Sequence, residues 1–163
     1  MKIMQLYSNS SKFKKVKFNE QFNVILGDIK YEQNLDKDSH NLGKSTLIKL
    51  IDFMFLKNID KSYFLKNQIF KNHVFFMELK LNNKKYITIK RSVEKFTKIS
   101  IKLHEEPYQN FIDESNWDYF EKGIKTAKIE ENAKYILNKI LDFDILKNES
   151  FRKTLNYFFR DLH

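Results

Sequence analysis

The chain has 163 residues, 42% of them apolar and 15% aromatic, which suits one globular domain or lobe with a real core and excludes a disordered chain. Three glycines, one proline and no cysteine exclude collagen-like, low-complexity and disulfide-stapled classes, and with them a thiolate metal site or a cysteine nucleophile. Thirty Lys and Arg, of which only Arg91, Arg152 and Arg160 are Arg, against 21 Asp and Glu give a net charge of +9, a balance that fits a polyanionic partner or the plain solubility of scattered lysines.

Period-two patterns open the chain. Ile3, Met4 and Leu6 predict a short strand, and Phe13, Val16 and Phe18 alternate with lysines as a half-exposed one. The run Phe22-Asn23-Val24-Ile25-Leu26, ending at Gly27-Asp28, predicts a strand covered on both faces. Residues 28–42 are polar and aperiodic and read as a long loop, the kind that carries function in a compact domain. From Lys44 the pattern turns helical. Leu47, Ile48, Leu50, Ile51, Phe53, Met54 and Phe55 surround most of the circumference and predict a buried helix.

Residues 57–72 are mixed, with Tyr63, Phe64 and Leu65 expected to pack down. Strands are predicted at His73–Leu81, Tyr86–Arg91 and Ile99–Leu103. The first two are joined by Asn82-Asn83-Lys84-Lys85, where asparagine tolerates the left-handed backbone of a tight turn. The alternation Phe76/Glu78/Lys80, Tyr86/Thr88/Lys90 and Lys98/Ser100/Lys102 predicts an antiparallel sheet with one wet face. After Pro107 helices are expected at Trp117–Ile124, Glu130–Leu141 and, with Ser150 as N-cap, Ser150–Leu162. Asp142 and Asp144 read as a loop.

The chemistry concentrates at Gly43-Lys44-Ser45-Thr46, between a polar loop and a buried helix. The first amides of a helix lack internal partners and carry the positive end of its dipole, so they form an anion site. In a phosphate loop Gly43 admits close backbone approach, Lys44 lies between the β- and γ-phosphates, the Ser45 hydroxyl ligates Mg²⁺, and Thr46 donates toward the α-phosphate. The preceding residues depart from G-x-x-x-x-G-K-[ST]: Asp38 stands where the first glycine belongs, and Asn41 replaces a frequent glycine. Gly27 in the first-glycine role, with residues 28–40 as an insertion, reconciles the two. His40, Asn41 and Leu42 then complete the candidate binding loop, His40 being the histidine placed to contact a phosphate.

The opening M-x-I-x-x-L, the stretch F-N-V-I-L-G at residues 22–27 and the run from Lys37-Asp38-Ser39-His40-Asn41-Leu42-Gly43-Lys44-Ser45-Thr46 to Phe53 resemble the N-terminal lobe of bacterial coiled-coil ATPases of the SMC/SbcC/RecN type. The nearest likeness is to an uncharacterised branch linked to three-component ABC anti-phage systems. Tyr86–Arg91 is similar to that family's antiparallel strand ending in Arg, and residues 150–160 to the stretch before its coiled coil. The resemblance implies an α/β fold over residues 1–163: the N-terminal lobe of a P-loop NTPase (ABC-ATPase head), with a mixed sheet, an antiparallel β-subdomain and C-terminal helices.

It also implies ATP and Mg²⁺ as cofactors, Lys44 as the catalytic lysine, a C-terminal ATPase lobe on this or another chain, head-to-head dimerisation, and DNA as partner in anti-phage defence or repair. The Asp-Glu strand and glycine-pair signature of such a C-terminal lobe are not in this sequence, so weak nucleotide binding without turnover is expected of the chain alone. The rival reading is a non-enzymatic, basic nucleic-acid-binding module; another P-loop class, a GTPase or nucleotide kinase, is disfavoured by the lack of base-reading motifs such as Asn-Lys-x-Asp.

Other constellations read as structural. His73, His104 and His163 have no metal-ligand spacing, the neighbours Glu105-Glu106 and Asp113-Glu114 diverge, and Trp117, Tyr119 and Phe120 read as core rather than as a base-stacking platform. No apolar run nears the ~18 residues of a membrane span. MKIMQLYSNSS lacks a signal-peptide core, so no membrane contact and a cytoplasmic address are expected.

Overall fold

A computed structural model describes residues 1–19, 21, 23–24 and 43–142. Its centre is a sheet of six strands: β1 (Lys2–Ser8), β2 (Val16–Lys17), β3 (Val74–Lys80), β4 (Tyr86–Ser92), β5 (Lys98–His104) and β6 (Tyr119–Gly123). Their order is β2-β1-β3-β4-β5-β6. Every neighbouring pair is antiparallel, with Leu6 opposite Met77, Met77 opposite Ile89 and Ile89 opposite Ile101. The fold is α/β as expected, but the mixed sheet with a separate antiparallel subdomain is not seen among the described residues. β1 joins β3 in one antiparallel sheet. Period-two patterning reveals that a segment is a strand and is silent on its partner.

Two helices, α1 (Lys44–Met54) and α2 (Ala133–Ile140), bury their apolar residues on one face of this sheet. Leu50, Phe53 and Met54 of α1 and Leu137 of α2 are at most 2% exposed, as are Leu6, Met77, Ile89 and Ile101 beneath them. Each such side chain stabilises the fold by roughly 1.5–3 kcal/mol, so packing rather than helix propensity holds α1 in place. The burial is one-ended. Ser45, Thr46 and Lys49 are exposed and Leu47 and Ile48 half-buried, where all-round burial was expected. The Tyr63 hydroxyl ties the outer face down by donating to the Lys49 carbonyl at 2.5 Å, and Leu65 is fully buried.

α1 stops at Leu56, a left-handed residue (φ 68°). The Leu56 amide donates to the Phe53 carbonyl (3.0 Å) and the Lys57 amide to the Asp52 carbonyl (3.1 Å), the two bonds of a Schellman termination. α2 starts at Asn132, whose side chain accepts the Lys134 amide (2.9 Å) and donates to the Ile124 and Thr126 carbonyls (3.2 Å each).

The middle of the opposite sheet face is covered, where a wet face was expected: Phe76, Glu78, Thr88 and Ser100 are buried, whereas Lys80, Lys90 and Lys102 on the same face are half-buried and Lys98 is exposed. The Tyr7 ring stacks on Phe76 (4.9 Å), and Trp117 packs on Phe76 and Phe111. A polar-looking alternation was covered by a loop whose apolar residues are too sparse to signal it.

The helix predicted at Trp117–Ile124 is instead the edge strand β6, in register with β5 through Ile101–Tyr119 and Ile99–Lys122. Aromatic Tyr119 and Phe120 favour the pleated surface. Trp117 is core as expected, Tyr119 is half-buried and Phe120 is exposed. In the β3–β4 turn the left-handed residue is Lys84 (φ 65°), not an asparagine. Asn83 acts through its side chain, which accepts the Lys85 amide at 3.1 Å.

Of the strand expected at Phe22–Leu26, only Asn23 and Val24 are described. Neither is in a strand, and Val24 is 63% exposed. Asn23 bonds back to the Asn19 amide and carbonyl (2.6 and 2.9 Å), which closes a local loop in place of a ladder. The expected helix Ser150–Leu162 and the loop residues 28–42 lie outside the described residues, as does Asp144.

Candidate functional site

Gly43 sits immediately before α1 with φ 86° and ψ −2°, a left-handed conformation that favours glycine. Its carbonyl accepts the Leu47 amide (2.9 Å), so the first intrahelical bond closes on it. A side chain added at Gly43 would meet nothing within 4 Å. The backbone geometry therefore favours glycine here, and no described residue crowds the space above it.

The turn that follows carries the expected residues. Lys44 heads α1, and Ser45 and Thr46 are exposed in its first turn. Among the described residues no side chain caps this end, and no acidic residue stands in the first turn. Gly43 thus cannot supply the side-chain cap that Asn132 gives the first amides of α2. His40, Asn41, Leu42, Gly27 and Asp38 lie outside the described residues.

The far end of α1 is held by a group that the sequence offered only as the end of a strand. Arg91 is fully buried, points from β4 to the helix, and lays its guanidinium 4.1 Å over the Phe53 ring. It donates through Nη1 to the Phe53 and Lys57 carbonyls and through Nε to the Phe96 carbonyl (2.8 Å). A cation at the C-terminal carbonyls opposes the negative end of the helix dipole. The signal that would have found it is an arginine among apolar alternating residues, Ile87, Ile89, Arg91, on the face that turns toward α1.

The described histidines, His104 and His73, make structural contacts, and His163 lies outside the described residues. The Glu106 carbonyl accepts from His104 Nδ1 (2.8 Å), which leaves Nε2 to accept the Thr88 hydroxyl (3.0 Å). His73 is wedged between the Phe70 and Phe75 rings. No group of three or more His, Asp or Glu among the described residues is arranged to hold a metal. Two clefts of about 420 and 340 Å³ share Ile140 in their lining, the first with Glu130 and Lys139 and the second with Lys85 and Glu105. No described helix is long and apolar enough to cross a membrane. No protein-family model, curated protein or solved structure matches the chain.

Proposed function

We propose that the chain is the ATP-binding N-terminal lobe of an SMC/SbcC/RecN-like ATPase head, in which nucleotide-driven head engagement is coupled to DNA binding or processing. One observation carries the reading: a left-handed Gly43, with no described residue crowding it or capping the helix, opens the sequence Lys44-Ser45-Thr46. A triphosphate satisfies such amides directly and meets the positive dipole end with negative charge. Gly43 gives the backbone room to approach, and the exposed Ser45 hydroxyl is a hard oxygen donor of the kind Mg²⁺ takes. Bound Mg²⁺ would neutralise phosphate charge there. Lys44 supplies the cation for the phosphates, and Thr46 a further donor.

Hydrolysis needs a base for the attacking water and a second lobe, so this lobe binds and the assembled head turns over. The basic excess (+9) favours a DNA partner close to the lobe. The test is Mg²⁺-dependent binding of a fluorescent ATP analogue. Wild type is expected to bind, with the signal lost on adding EDTA and in Lys44→Ala. Equal binding by both proteins overturns the proposal and favours a basic module that only contacts nucleic-acid phosphate.

A further inference from the structure

The two ends of α1 differ in how their charge is met. The helix has no acidic residue in its first turn and no basic residue in its last. At the C-terminal end the missing cation arrives from β4 as Arg91. The same guanidinium reaches the β4–β5 turn: Nη1 serves the Phe53 and Lys57 carbonyls at the end of α1, and Nε serves the Phe96 carbonyl in the turn. That turn is tied onward, since the Val93 amide donates to the His73 carbonyl (3.0 Å) and the Ile124 amide to the Thr97 carbonyl (2.9 Å). A rigid planar fork thus joins a helix end to a loop contacting the residue before β3 and the residue after β6.

We propose that Arg91 is a positioning residue for the site at Gly43, coupling anion binding at the start of α1 to the β4–β5 turn, residues 93–97. The inference rests on the nucleotide-binding reading above. α1 has eleven residues and is about 16 Å long, a stiff element whose displacement at one end appears at the other. An anion drawn onto the amides of Lys44–Thr46 pulls along the helix axis. Arg91 grips the far carbonyls, so the displacement passes through its second arm to Phe96. Lysine keeps the charge at the helix end but has one compact ammonium and cannot span both sets of carbonyls.

Hydrogen exchange on the full chain, with and without Mg·ATP, tests this. In wild type, amides at 93–98 are expected to slow by about tenfold when nucleotide binds. In Arg91→Lys, analogue binding is expected within about threefold of wild type, with the slowing at 93–98 lost. Nucleotide bound by wild type with no change at 93–98 overturns the inference and leaves the site reading intact. The full slowing retained in Arg91→Lys also overturns it. No binding by wild type sinks the site reading, and the inference with it. The wild-type comparison decides the matter even if the variant does not fold.

Discussion

Glu78 accepts the backbone amide of Tyr108 at 2.8 Å from the middle of β3, and that bond holds a cover over the middle of a face expected to be wet. The same carboxylate takes the Gln109 amide (3.1 Å) and the Gln5 side-chain amide (2.9 Å), and is itself fully buried. Tyr108 is left-handed at φ 58°, so the chain accepts local strain to aim two successive amides at one acceptor. Glu78→Ala strands these donors and is expected to cost about 3 kcal/mol, since a bond to a charged group contributes about 1.5–3 kcal/mol and orphaned buried donors add to the loss. Trp117 is the only tryptophan and packs in the segment that Glu78 pins, so its emission should shift to the red. A variant with unchanged emission and stability within 1 kcal/mol of wild type refutes this role.

Tyr7 makes the second pin. Its hydroxyl accepts the Phe111 amide at 3.0 Å. Burial pushes the phenol up to about 12, the Phe111 bond pulling the other way and the Glu78 carboxylate adding to the rise. The folded state therefore holds this proton more tightly than the unfolded one, whose tyrosine titrates near 10. The stabilisation is complete below pH 10 and falls away as pH climbs toward 12, by about 2–3 kcal/mol for a shift of this size. Tyr7→Phe lacks the acceptor and should be less stable at pH 7, but it has no phenol to ionise. Chemical denaturation from pH 8 to 12 should show the gap between the two proteins narrowing above pH 10. A constant gap contradicts the assignment.

The sequence foretold the elements better than their arrangement. β1, β3, β4 and β5 fall where alternation placed them, because apolar residues recur at every second position on the side that faces the helices: Met77 and Leu79, Ile87 and Ile89, Ile99 and Ile101. α1 begins at Lys44 and α2 lies within the predicted Glu130–Leu141, both carried by apolar spacing. Sheet order was not legible, since β1 meets β3 across more than sixty intervening residues and local pattern holds no trace of that pairing. The cover at 105–118 was hidden for a related reason. Its hold depends on Glu78 and Tyr7, which look like surface residues until their partners are known. Of the candidate site, the structure describes a left-handed Gly43 and an exposed Ser45 and Thr46 at the start of α1, and their phosphate-loop role is the proposal made above. Arg91 was visible only as a strand end, because its role needs the end of α1 and the β4–β5 turn in one place.

Glu121 sets the acid limb of stability. It is left-handed (φ 44°) in β6, and its two oxygens accept Lys95 (2.7 Å) and Lys98 (2.9 Å). These two hydrogen bonds lower its carboxyl from the usual 4.5 to about 2. A depressed carboxylate stabilises the fold above its unfolded value and loses that contribution as pH falls, here between about pH 4.5 and 2. Solvent reaches the cluster, so salt should weaken the effect. Glu121→Gln should flatten the stability profile in that window and reduce its dependence on NaCl. An acid limb identical to that of wild type shows that other carboxylates govern it.

Leu56 tests the end of α1. Its side chain is 2% exposed and its backbone left-handed, two demands that pull on residue choice in opposite directions. Glycine suits the backbone and loses the packing. Removing a buried leucine costs about 2.7–5 kcal/mol, whereas left-handed strain at a non-glycine residue is about 1–2 kcal/mol. Leu56→Gly should therefore destabilise the protein, packing being the larger effect. Leu56→Ala loses nearly the same packing and keeps the strain, so it should be the less stable variant by about 1 kcal/mol. This reverses the order within a helix, where alanine exceeds glycine by about 1 kcal/mol. Urea denaturation of the pair decides it: alanine more stable than glycine means that residue 56 is not held left-handed and that the Schellman termination gripping the Phe53 and Asp52 carbonyls does not form.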